Sequence, residues 1–151
     1  MKIAFVTYYE KLNDDIVIEI NNGFSFILNN VNGDHFIIQK DFDKDEIKNK
    51  LSSYDKIYLS VTYSDHIFAI TDIIDERWVV GGQLFENFSS NYWKEILKPA
   101  TVYTGYFEDY LGVEKKDIFT PYWEDFAEKE KPLVLRYNAV CGRSCYWKRC
   151  K

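Results

Sequence analysis

Tyr54-Asp55-Lys56-Ile57-Tyr58-Leu59-Ser60-Val61-Thr62, and further on Arg77-Trp78-Val79-Val80-Gly81-Gly82, decide how the rest of the chain is read. Each holds a short, continuous apolar run bounded by polar or turn residues, the pattern of a strand buried on both faces. Between them Ile67, Ile70 and Ile74 fall on one side of a helix that Ser64 is placed to cap. A strand, a helix and a second strand in this order form a crossover unit, whose strands pair in parallel.

The same alternation extends in both directions. Ile3 to Thr7 reads as the first strand, Phe36 to Gln39 as the second, Lys56 to Val61 as the third and Arg77 to Val80 as the fourth. Thr101 to Tyr103 makes a fifth, ending near Gly105. Asp43 and Glu46 have capping-box spacing ahead of a short helix with Ile47 and Leu51 on one face. A further helix over Asn91 to Leu97 stops before Pro99. Residues 14–31 fit two patterns. Ile16, Val17, Ile18 and Ile20 suit a strand, whereas Ile16, Ile20, Phe24, Ile27 and Val31 suit a helical stripe. Helix is the expectation, despite Gly23, because two parallel strands need a crossover here. The pattern as a whole predicts an α/β domain with a doubly wound parallel sheet.

Composition narrows the function classes. The chain has 151 residues, enough for one domain with a short appendage, and its 46% hydrophobic and 18% aromatic content can fill a core. The net charge of −5 is spread without a long single-sign block, so nucleic acid is not an expected partner. Ile3-Ala4-Phe5-Val6 is too short for an export signal, and no apolar stretch approaches the roughly 18 residues of a membrane span. A cytoplasmic protein with no membrane partner is the expectation. I-rich, N-rich and K-rich usage accounts for much of the remaining bias.

On a parallel α/β sheet, ligands bind outside the carboxyl ends of the strands. Those ends carry Tyr8, Tyr9, Thr62, Tyr63, Gly81, Gly82, Thr104 and Gly105. Thr62, Gly81 and Gly82 are the candidate cofactor-binding residues. Gly81-Gly82 permits a close backbone approach to a ligand, although a tight turn with positive φ is the plainer reading of an isolated glycine pair. No phosphate loop is present. Of the two histidines, His35 and His66, the second stands beside Asp65 at the start of a helix on the carboxyl side of the third strand; a site role is open to it, but a solvent-exposed helix-start pair is the expectation. Neither a Ser–His–Asp set nor paired carboxylates stand out.

All three cysteines lie close together, in Cys141-Gly142-Arg143-Ser144-Cys145-Tyr146-Trp147-Lys148-Arg149-Cys150. In a reducing compartment clustered thiols are ligands or redox groups more often than structural disulfides. Arg143, Lys148 and Arg149 favour the thiolate. An iron–sulfur cluster, zinc and three free thiols all remain open on this pattern. Zinc wants four protein ligands in a structural site, and neither histidine is near in sequence.

Two stretches give the chain a family resemblance. The strand pair quoted first, and the run from Pro121-Tyr122-Trp123-Glu124-Asp125-Phe126 through Pro132-Leu133-Val134-Leu135 to Cys150, resemble radical S-adenosylmethionine proteins with an N-terminal cobalamin-binding-like domain. The resemblance implies a flavodoxin-like, cobalamin-binding-type domain over 1–111, a linker over 112–131 and the start of a radical S-adenosylmethionine domain over 132–151. It makes Leu133 to Tyr137 the first barrel strand and the cysteines a 4Fe–4S site. The family spacing C-x3-C-x2-C puts its third position on Lys148. The variant C-x4-C-x2-C takes Cys145 and Cys150, places the third ligand two positions past Lys151, and leaves Cys141 as an extra thiol. On this reading the chain stops inside the cluster motif. Thr7 to Asp15 contain no histidine to serve as the lower ligand of cobalamin, so none is expected to bind. The resemblance further implies a small-molecule or peptide substrate in the intact enzyme, with this domain capping or positioning it rather than catalysing. The alternative is a self-contained module that binds a small ligand or a protein, with the cysteines as a redox or zinc clip.

Overall fold

The computed structural model describes residues 1–9, 17–19, 27, 31–39, 42–61, 64–82, 84–85, 90–105, 107–113 and 134–136. Among these, β1 (Ile3–Tyr9), β3 (Asp34–Gln39), β4 (Lys56–Ser60), β5 (Trp78–Gly81) and β6 (Thr101–Val102) form one sheet in the order β3-β1-β4-β5-β6. Every pairing in it is parallel. Helices α1 (Lys44–Leu51), α2 (Ser64–Ile70), α3 (Ser90–Ile96) and α4 (Phe107–Leu111) lie between and after the strands. The α/β reading with a parallel sheet therefore holds.

The apolar runs are continuous because both faces of the sheet are covered. Ala4, Val6, Ile57, Leu59, Trp78, Val80 and Val102 pack in one cluster with Ile47 and Leu51 of α1, Ile67 and Ile70 of α2, and Trp93 of α3. The intervening residues Ile3, Phe5, Tyr58 and Val79 join Ile27 and Phe107 in a second cluster. Strand side chains alternate in direction, so these two sets occupy opposite faces.

Local chemistry sets the helix bounds. The Asp43 carboxylate accepts from the backbone N–H groups of Asp45 and Glu46 at 2.9 and 3.2 Å, capping α1 as its spacing predicts. At the other end of α1 the Arg77 guanidinium donates to the carbonyls of Leu51, Ser52 and Tyr54 at 3.1, 3.2 and 3.0 Å. The Leu51 carbonyl also accepts from the Tyr54 N–H at 3.2 Å, and the cation suits the negative end of the helix.

Three expectations need correction. Val17–Glu19 is a strand, β2, and not part of a helix; it pairs in parallel with β7 (Val134–Arg136) as a separate two-stranded sheet. Consecutive β-branched residues carry their strand preference once a partner strand is supplied. Helical geometry appears further along, where Val31 N–H donates to the Ile27 carbonyl at 2.8 Å. Secondly, α2 begins at Ser64 and ends at Ile70, and the chain continues as a 3₁₀ turn over Thr71–Ile73. Three residues per turn puts Ile73 in line with Ile70 and buries it, while Ile74, past the turn, packs partly buried against the same cluster. Thirdly, His66 is buried, not exposed. It stands four positions before Ile70 and so shares that residue's inward stripe, while Asp65 beside it stays exposed. The expected linker falls on residues outside the described ones from 114 onward.

Candidate functional site

The strand order reverses at β1. The chain passes from β1 to β3 on one side, then crosses to β4 on the other, so the carboxyl ends of β1 and β4 flank the switch point where such sheets hold ligands. Thr7 of β1 and Ser60 of β4 are register partners there, and Gly81 of β5 is in turn the partner of Ser60. Thr7 is buried and Ser60 half-buried. On the far side of Thr7, its Oγ1 lies 2.9 Å from Nε2 of His35 on β3. Parallel register makes this contact: His35 is level with Phe5, one side-chain step before Thr7 on the same face.

Gly81 and Gly82 close the other flank. A Cβ on Gly81 would lie 2.7 Å from the Phe107 ring, and one on Gly82 would lie 2.6 Å from the Val61 carbonyl oxygen. Gly82 also has φ +116°, which side chains other than hydrogen disfavour. Backbone bonds hold this corner shut: Val61 N–H donates to the Gly81 carbonyl at 2.8 Å, and Phe85 N–H to the Gly82 carbonyl at 3.1 Å. The close approach that the glycine pair allows is thus made by the chain itself, to the end of β4 and to α4.

Behind the glycines lies an aromatic wall. Tyr58 stacks on Phe5 at 5.4 Å between ring centroids and meets Phe107 edge-on at 5.7 Å. Tyr103 stacks on Phe107 and approaches Tyr110 at 4.8 Å. Burial, with Tyr110 nearby, pushes the Tyr58 hydroxyl above its ordinary ionisation range.

The opposite, amino-terminal edge is an ion-paired and hydrogen-bonded floor. Arg77 forks onto the Asp75 carboxylate, with Nη2 2.6 Å from Oδ2. Burial of the Asp75 carboxyl disfavours its charge, but hydrogen bonds from Arg77 and the charges of Arg77 and Lys48 outweigh that and hold it below the usual carboxylate range. The Tyr54 hydroxyl donates to Asp34. Burial first, then the bond and charge of Asp34, push Tyr54 up to about 12.

Of the sequence-predicted site residues, the structure brings Gly81 and Gly82 to the carboxyl edge, as expected. Thr62, Cys141, Cys145 and Cys150 lie outside the described residues. Among the described residues no group of three His, Cys, Asp or Glu side chains is placed to hold a metal ion. Nor does any described helix have the length and apolarity to cross a membrane. Thr7, Ser60 and His35 were missed as a group. A polar residue following the apolar run Ile3–Val6 was the available signal for Thr7, but only the register joins it to the other two. No family model, curated protein or solved structure matches the chain.

Proposed function

We propose that the five-stranded sheet is a flavodoxin-like domain of the cobalamin-binding type, forming the N-terminal part of a radical S-adenosylmethionine protein. In it the domain caps or positions a small-molecule or peptide substrate and is not itself the catalyst. The observation that supports this reading is the strand order, with the first strand between the second and third, as in flavodoxin-like sheets. The carboxyl edge of the sheet at β1 and β4 is then the surface turned to substrate. Gly81 and Gly82 shape its wall, and Thr62 is the further candidate that the sequence supplies.

Thiolate is the donor that iron–sulfur clusters take, and Cys145 and Cys150 are the residues that would hold a 4Fe–4S cluster, with Cys141 apart from it. When bound, such a cluster supplies the electron that reductively cleaves S-adenosylmethionine. Cobalamin has no part in the reading. Its lower ligand would follow β1, whereas His35 is on β3 against Thr7 and His66 is buried on α2. The test is anaerobic iron–sulfide reconstitution of the full-length gene product. Visible cluster absorbance that depends on Cys145 and Cys150 supports the reading, and its absence overturns it.

One observation favours a second reading. β7, immediately before the cysteines, pairs with β2 near the start of the chain. A first barrel strand bonds to barrel strands on both sides, and this pairing takes one of those sides. On that basis the chain is a self-contained module for a small ligand or a protein, with the cysteines as a redox or zinc clip. Stoichiometric zinc in protein purified under reducing conditions, released by a thiol reagent, would favour it; metal-free protein with three freely titrating thiols would count against the zinc form.

A further inference from the structure

We draw no further inference here: the strongest candidate, the exposed aromatic patch that Phe68 of α2 and Tyr92 of α3 make around Trp93, carries nothing because nothing in the structure shows what covers it.

Discussion

Gly82 sits against Val61 so closely that a methyl group on it would come within 2.6 Å of the Val61 carbonyl oxygen and 2.7 Å of its nitrogen. This is backbone against backbone, so no side-chain rotation relieves it. Gly82→Ala is expected to destabilise the fold by about 2–5 kcal/mol, through the disfavoured φ and the clash together. Gly112 is the control. It has φ +65° but nothing within 4 Å of its missing Cβ, so Gly112→Ala should lose only about 1–2 kcal/mol. Urea midpoints of the two variants decide it; equal losses would mean that the β4–β5 approach is not the constraint.

Asp43 caps α1 through two backbone N–H groups. Asp43→Ala should cost about 1 kcal/mol, and Asp43→Asn or Asp43→Ser much less, because either side chain can still accept. Chemical denaturation of the three variants measures this, and an equal loss in all of them would point to charge rather than capping.

Arg77 joins the end of α1 to the turn before β5, using one nitrogen for three carbonyls and the rest of its fork for Asp75. Lysine keeps the charge but not the fork, so Arg77→Lys should lose roughly 1–3 kcal/mol at neutral pH. Asp75 has a lowered pKa in the fold, so its contribution is present above the ordinary carboxylate range and is lost as pH falls through the folded value. The gap between wild type and Arg77→Lys should therefore narrow on acidification. A gap independent of pH would assign the whole effect to the carbonyl bonds.

Tyr54 contributes on the alkaline side. Its pKa rises from 10.0 to about 12 in the fold, so its contribution is complete below pH 10 and lost as pH rises through 12. Tyr54→Phe should flatten the fall in stability over that window. Difference tyrosinate absorbance between wild type and variant should show one hydroxyl titrating late; an ordinary titration would rule out the Asp34 bond as a restraint.

For the thiols, Cys145→Ala and Cys150→Ala should each abolish cluster absorbance after reconstitution of the full-length gene product, while Cys141→Ala should leave it near the wild-type level. Loss in the Cys141 variant alone would reverse the assignment of ligands and bystander.

Much of the fold was legible because its signals are local. The apolar runs at Ile3, Ile57 and Trp78 marked buried strands, the Asp43–Glu46 spacing marked a helix start, and alternation of the two types implied parallel pairing. Residues 14–31 were not legible, since their apolar spacing satisfies both periods and the partner that makes Val17–Glu19 a strand stands at Val134–Arg136. His66 was misread for a similar reason: a helix has an inside only once it is docked. By itself, then, the sequence determined the α/β class, the five-strand alternation and the thiol cluster, all properties of neighbouring residues. Only the tertiary structure decided the β3-β1-β4-β5-β6 order, the Thr7–His35 contact and the closing of Gly82 onto Val61. Each of these depends on which distant strands lie side by side and in what register, and that is settled by burying both faces of one sheet at once.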